Sequence, residues 1–481
     1  MEHLQRESKI PLYIQLAKII RNQILSKKID NGAKLSQRKI AEKYNVSKKT
    51  VSDAFDILVS EGLLISKEKS GNIINYDNTL HHFNDFSDTW FSILDKAYFL
   101  PNHNDIYNVI SLMSSNTKVR LSGIAVHNDF GYSLMIEKVM KNIYNKIADN
   151  KVFNNIDTQG LYSCREEIAH HVEKYGIKCS PENIIITTNP MEAVSLVLHS
   201  FARFGMKYYQ ECPCILNSCT FAHTYGLNLE NIPLENDGLD VNYFLKALHK
   251  NKNNQGILYL SPVNQYPTGY STSKYKRDAI LSACIKNNVA IIENDILRDF
   301  YITKKHPKPL KSFDKQGQVI YIGSFLNAWT NIGVGYIIAE PIVIRKVNDT
   351  KAQNTIMTST INQMIVEEML KSGLYNEYIE ASRKIYKERL YAFNMLLEKY
   401  FSGIAEWNNN PNIFFQYLKF KSPVNTFDII KELSNIAVHS SYFFDKTSVS
   451  EIYLNPFIDT LENIEYGLAE ISKKIKSKYS L

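Results

Sequence analysis

A chain of 481 residues with 44% hydrophobic, 12% aromatic and 22% charged side chains is too long for one core and too apolar for disorder, so two or three folding units are expected. No run approaches the ~20 apolar residues that span a bilayer, and the opening MEHLQRESK lacks the apolar core of a signal peptide, which argues against membrane and export and predicts a cytoplasmic protein. The net charge of +7 is uneven: residues 1–76 hold 14 Lys and Arg against 8 Asp and Glu, leaving 42 against 41 for the remainder. A compact basic module in front of a neutral body is the electrostatic footprint of nucleic-acid binding.

Leu12, Leu16, Ile19, Ile20 and Ile24 recur at helical spacing, predicting an amphipathic helix from Pro11 to Ser26. Gly32 breaks it. Ser36 can cap a short helix ending at Tyr44, Asn45 and Val46 make a turn, and Ser47 can cap a third helix that turns Val51, Ala54, Phe55 and Leu58 inward. This order is a helix-turn-helix for duplex DNA. The third helix offers Lys48, Lys49, Thr50 and Ser52 near its start, where exposed backbone N–H groups also favour phosphate. Leu63 to Ser66 and Gly71 to Ile74 then read as two strands around a Lys67–Ser70 turn, a wing.

The segments IPLYIQLAKIIRNQI and KLSQRKIAEKYNVSKKTVSDAFDILVSEGLLISKEKSGNII resemble the winged-helix domain of the GntR superfamily. That resemblance implies that Arg38, Ser47 to Thr50 and Gly71 approach DNA; Ser36, Ser52 and the wing residue Lys69 complete the candidate surface. The family's Leu-Pro-Ser has no proline between Leu35 and Ser36, and its Ser-Arg is Ser47-Lys48. Lysine lacks the guanidinium fork that reads guanine with two bonds, so sequence preference leans on other contacts.

Residues 77–117 show no sheet pattern and read as a linker, in which Trp90, Phe91, Leu94 and Ala97 could share one helix. From residue 118 to 481, apolar runs alternate with helical segments as an α/β doubly wound sheet requires. The predicted strands are Ile184–Thr187, Tyr208–Glu211, Gly256–Leu260, Val289–Glu293, Val319–Ile322 and Gly335–Ala339, with helices over Glu192–Phe204 and Ser273–Asn287. A large subdomain is expected over about 150–345 and a small C-terminal α+β subdomain over about 375–481.

Gly160 to Arg165 with EEIAHHVEKYGI, PENIIITTNPMEAV, Leu260-Ser-Pro-Val-Asn-Gln-Tyr-Pro-Thr-Gly269, IIENDILRDF and YIGSFLNAWTNIGVGYIIA resemble the fold type I aminotransferases. Behind a winged helix, they make the whole similar to the MocR subfamily of GntR regulators. The resemblance implies pyridoxal phosphate (PLP), a mixed sheet and a homodimer that is typically head-to-tail. The chain departs from the cofactor pattern at five places. The Schiff-base lysine of Ser-Phe-Ser-Lys is Asn327, and an amide cannot form an imine. The pyridine-nitrogen carboxylate falls at or beside Asn294, with Asp295 a conceivable substitute, and the following tyrosine is Ile296. The phosphate cup is Asn189-Pro190-Met191, and Pro190 has no N–H to donate. An arginine is missing from Ile332–Gly335, and the ring-stacking aromatic is Ile215.

The expectation is therefore a DNA-binding regulator, not an enzyme, without cofactor, whose aminotransferase-like domain dimerises. Effector sensing stays open, with Asn189, Asn264, Asn294 and Asn327 offering amides among the aliphatic Ile215, Ile296, Leu326 and the ring of Trp329. Two rivals stand beside it: an active PLP enzyme with an accessory DNA-binding domain, and a dimeric repressor without effector. Cys212, Cys214 and Cys219 read as packed thiols rather than a metal site, His81-His82 and His170-His171 as surface residues, and Lys473, Lys474, Lys476 and Lys478 as a solvated helix end.

Overall fold

The computed structural model describes residues 4, 6, 11–25, 29, 33–60, 63–67, 71–74, 119–123, 126–127, 132–148, 157–214, 221–222, 224–251, 255–300, 302, 307–325, 333–408, 414–433, 435–441, 444 and 449–479. They fall into two compact units. The linker expected over 77–117, its helix, and His81-His82 lie outside the described residues.

In the first unit, α1 (Leu12–Leu25), β1 (Lys34–Leu35), α2 (Gln37–Tyr44), α3 (Lys48–Ser60), β2 (Leu64–Lys67) and β3 (Gly71–Ile74) follow in order. Leu16, Ile20 and Ile24, one helical turn apart, meet Val51, Phe55 and Leu58 in a single core. Each such side chain contributes roughly 1.5–3 kcal/mol when fully buried. Asn45 takes the left-handed conformation, φ 51°, and closes α2 by donating its N–H to the carbonyls of Ala41 and Glu42, which is why a short polar residue stands at the turn. The wing pairs Leu64 with Ile74 through to Lys67 with Gly71. β1, two residues long and without a readable period, adds to β3 on its other side.

The second unit opens with β4 (Val119–Arg120), α4 (Tyr132–Ala148), α5 (Tyr162–Glu173), β5 (Ile184–Thr187) and α6 (Pro190–Phe201). It continues through β6 (Lys207–Cys212), β7 (Asn228–Glu235), β8 (Gly238–Leu239), α7 (Val241–Lys250), β9 (Gly256–Leu260), α8 (Lys274–Lys286), β10 (Val289–Asn294), β11 (Val319–Phe325) and β12 (Val334–Ile338). These strands make one eight-stranded sheet in the order β5-β12-β11-β10-β9-β6-β7-β8. β11, β10, β9, β6 and β7 run parallel, while β12 is antiparallel to both its neighbours. Helices cover both faces, so central strands such as Gly256–Leu260 are buried along their whole length and read as unbroken apolar runs. The ends of β6, β9, β10 and β11 gather at one edge, the crevice where open α/β sheets take ligands.

Then come α9 (Pro341–Asn354), α10 (Thr360–Lys371), α11 (Leu374–Phe401), β13 (Ala405–Trp407), β14 (Gln416–Phe420), α12 (Thr426–Lys431), β15 (Ile436–Ala437), β16 (His439–Ser440), β17 (Glu451–Leu454) and α13 (Leu461–Tyr479). A four-stranded antiparallel sheet, β13-β14-β17-β16, carries the small subdomain. That subdomain also takes in β4, which pairs with β15 and buries Val119 and Leu121 in its core. α11 joins the halves, packing Tyr375 to Leu390 into the large core and Phe393 to Phe401 into the small one.

One surface expectation needs correction. His170 is exposed, but its neighbour His171 is buried with Ile168, Val172 and Tyr175 on the inner face of α5. Its Nε2 lies 3.3 Å from the Tyr175 hydroxyl, and burial holds the imidazole below its ordinary pKa. Adjacent helix positions point about 100° apart, so one histidine of a pair can face in while the other faces out. At the C-terminal end Lys473, Lys476 and Lys478 are exposed and Lys474 half-buried, the solvated helix end expected, with Lys474 and Lys478 pairing with Glu432 at the surface at 2.6 and 2.7 Å.

Candidate functional site

The N-terminus of α3 is built by Ser47. Its Oγ accepts the Thr50 N–H at 3.1 Å and stands 2.9 Å from the Thr50 hydroxyl. These two predicted contacts therefore partner each other and hold the helix start, while Lys48 and Lys49 beside them are exposed and Ser52 is half-buried. No acid sits in the first turn of α3. Ser36 is likewise a cap, accepting the Lys39 N–H at 3.4 Å. Arg38 pairs with Glu42 across one helical turn at 3.0 Å, both side chains exposed. Such a pair is worth little, so a phosphate can displace it. Arg6, which the sequence pattern did not single out, donates to the Asn45 carbonyl at 2.7 Å and brings another guanidinium to the turn. Gly71 starts β3; Lys69 lies outside the described residues.

At the carboxyl edge of the large sheet, Asn264, Asn294 and Ile296 come together with Cys214, Ser261, Val263, Tyr266 and Leu297 around a hollow of about 20 Å³. That is room for one water, against roughly 300 Å³ or more for a ligand pocket. None of these eight lining residues carries a charge. Asn294 donates to the Tyr259 hydroxyl at 2.6 Å. Asn264, held at φ 48°, buries an amide whose oxygen and nitrogen have no protein partner. Asp295 does not line the hollow; its buried carboxylate pairs with Arg298, whose Nη1 also donates to the Pro307 carbonyl at 2.7 Å. Tyr266 reaches His439 of the small subdomain at 3.0 Å, and the Tyr270 and Tyr417 hydroxyls meet at 2.8 Å. Two hydrogen bonds thus bridge the subdomains over this edge. Burial takes the His439 imidazole down to about 4, so it is neutral there.

Asn189 and Pro190 sit apart from the hollow, at the start of α6. The Asn189 side chain accepts the Glu192 N–H at 2.9 Å, Pro190 is the first helical residue, and Glu192 Oε2 accepts the Thr188 N–H at 2.5 Å. The other Glu192 oxygen accepts from Thr355 at 2.7 Å. A carboxylate of the chain itself thus occupies the positive end of the helix. The spacing Asn189-x-x-Glu192 is a legible capping signature. Gly335 is required here, because a Cβ would lie 2.6 Å from the Asn189 backbone. Behind the turn, buried Lys351 donates to the carbonyls of Thr158 and Ile186 and to Thr358, at 2.8, 2.6 and 3.0 Å.

Ile215, Asn327, Leu326, Trp329 and Cys219 lie outside the described residues. Among those described, no three His, Cys, Asp or Glu side chains gather as a metal site, and no helix is long and apolar enough to cross a membrane.

Residues 12–74 match the family of bacterial regulatory proteins, gntR family, and residues 127–445 match aminotransferase class I and II. The chain is 26% identical over 480 residues to the HTH-type transcriptional regulator YdfD of Bacillus subtilis (strain 168), covering 98% of each. It is 27% identical over 453 residues to the HTH-type transcriptional regulator NorG of Staphylococcus aureus (strain bovine RF122 / ET3-1), covering 92% of this chain and 99% of that one. Among solved structures, a multiple substrate aminotransferase from Thermococcus profundus superposes with TM-score 0.74 at 22% identity, covering 83% of this chain and 99% of its own. A Pyrococcus horikoshii kynurenine aminotransferase gives 0.73 at 20%, with the same coverage. The chain belongs to the aminotransferase class I and II family and carries a gntR-type helix-turn-helix in front of it, the MocR-like arrangement of a DNA-binding transcriptional regulator.

Proposed function

We propose that this regulator binds duplex DNA as a head-to-tail homodimer in the cytoplasm, and that its aminotransferase-like domain works without PLP and without catalysis. The observation that carries the reading is the start of α6. PLP needs free N–H donors and a cation for its dianionic phosphate; here Asn189 takes the Glu192 N–H, Glu192 takes the Thr188 N–H, and Pro190 has none to offer. A phosphate would meet the Glu192 carboxylate at the very place where the helix dipole would otherwise attract it. The uncharged, water-sized hollow around Asn264 supports the same conclusion. So does Asn327, where an imine-forming amine would have to stand.

The test is spectroscopic. Purified protein mixed with PLP should show no aldimine absorbance and no borohydride-trapped adduct, and Asn327→Lys alone should restore neither, because the phosphate site is still filled by Glu192. Stoichiometric labelling of the unaltered protein would overturn the reading.

A further inference from the structure

A second, larger hollow lies at the other end of the same strands, about 15 Å from the carboxyl edge by the rise of five residues. Its volume is about 340 Å³, within the range of small-molecule pockets. The floor is the face of the sheet that packs under α6. Ile257, Ala290, Ile292 and Ile320 point to that side, since Ile257, Ile292 and Ile320 share its core and Ala290 alternates in register with Ile292. Ala290 pairs with Ile257 in the ladder and supplies only a methyl group where its neighbour supplies a branched chain. The hollow opens over the first residues of β9, β10 and β11, between Val197 and Phe201 at the end of α6 and Val343 of α9. The consequence is visible at Ala290. It is partly exposed in mid-sheet, although Val289 and Ile291 on either side are fully buried.

The walls are apolar, with Phe201 from α6 and Val343 from α9 among them, and the polar groups are the amides of Gln255, Asn288 and Gln318. No lining residue carries a charge. A charged ligand would lose its water here without gaining a partner, whereas an aromatic or aliphatic body with a carbonyl or hydroxyl meets both surfaces. We propose that this hollow is a binding site for a neutral, largely apolar small molecule bearing one hydrogen-bonding group, separate from the cleft at the carboxyl ends of the strands. In a regulator such a molecule is an effector. That use rests on the regulatory reading; the binding itself does not.

Indole and acetanilide serve as probes on the full-length protein, followed by ligand-observed NMR and thermal shift. At least one should bind saturably with Kd about 1 mM or tighter. Ala290→Leu, which fills the floor, should weaken binding at least tenfold, and Val343→Trp at the wall should do the same should the first variant fold poorly. Asn264→Ala, at the opposite end of the strands, should leave binding unchanged. Absence of saturable binding by both probes, equal binding in both filled variants, or loss confined to Asn264→Ala would overturn the proposal. So would a filled variant that turns a dimer into monomers without ligand, since the hollow would then be a contact between copies of the chain.

Discussion

Two helix N-termini in this chain face opposite fates. α3 begins at exposed Lys48 and Lys49 with no acid in its first turn, and a single serine caps it. α6 begins at Asn189-Pro190 with Glu192 folded back onto the preceding N–H. The backbone supplies the same partial positive charge at both, so the side chains decide. Under the proposed function, cations and an open approach let α3 take a phosphate of DNA, whereas the Glu192 carboxylate disfavours the phosphate of a cofactor at α6. A fold alone does not settle which anion a helix accepts, and two domains of one protein can answer differently.

The largest effect should come from the support beneath α6. Lys351 places three N–H donors on three acceptors, and desolvation pushes its pKa down to about 8. Lys351→Met keeps the volume but removes the donor to the Thr158 carbonyl and leaves Ile186 only the Thr358 hydroxyl at 3.2 Å, which should cost about 2–3 kcal/mol of stability. A denaturation midpoint within error of the parent would show that the α6 turn holds without this cation.

Next is a pH effect at the same edge. Glu211, buried and accepting the Ser261 N–H at 2.7 Å, has its carboxyl raised by burial to about 8. A raised acid favours the protonated folded state, so its contribution is complete below about 4.5, the ordinary value, and is lost as pH rises through 8. Glu211→Gln mimics the neutral form. Between pH 6 and 8 the parent should lose up to about 2 kcal/mol relative to the variant; a difference that stays flat with pH would mean that Glu211 is ionised in the fold. With Glu211 neutral, the carboxyl edge presents charge of neither sign to the hollow beside Ser261.

At α3 the expected loss is in binding rather than folding. Replacing Lys48 and Lys49 together by alanine should weaken DNA binding by about 1–2 kcal/mol and reduce the slope of log affinity against log salt by about 2, one for each phosphate released. Arg38→Ala should act in the same direction. Unchanged affinity and slope in gel-shift titrations would remove α3 from the interface.

The regular parts of both units were legible because their signals are local and periodic. Ser273 and Asn287 were expected to bound a helix, and they are the caps of α8; Ile184–Thr187 and Gly256–Leu260 are strands at their predicted limits. β1 was missed because two residues carry no period, and β7, with its mixed burial, lacks the unbroken apolar run of its parallel neighbours. At the site, Asn189, Asn294 and Ile296 stand out in the sequence by position alone. What each side chain turns to is not legible there. Asp295 turns to Arg298 three residues on, and Asn294 to Tyr259 thirty-five residues back, which depends on the register of two strands. Glu192 is the fourth residue of a capping signature, and apolar periodicity alone marks it only as the start of a helix.

The smallest expected effect separates the two helix starts most directly. Ser47 and Asn189 perform the same task, each giving a side-chain oxygen to the N–H three residues on, at 3.1 and 2.9 Å. Alanine at either position removes a cap worth about 1 kcal/mol, so Ser47→Ala and Asn189→Ala should lower the stability of their own units by similar amounts in denaturant titrations. Their functional consequences should diverge. Ser47 also fixes Thr50 through a 2.9 Å contact beside the two exposed lysines, so its loss disorders the surface that meets phosphate, and DNA affinity should fall severalfold while both proteins remain folded. Asn189 caps a helix whose N-terminus Glu192 already closes, so fluorescence-anisotropy titration with duplex DNA should find Asn189→Ala indistinguishable from the parent. Equal losses of affinity in the two variants would mean that the α6 start feeds into DNA binding after all, and the contrast between an open and a closed helix end would fail.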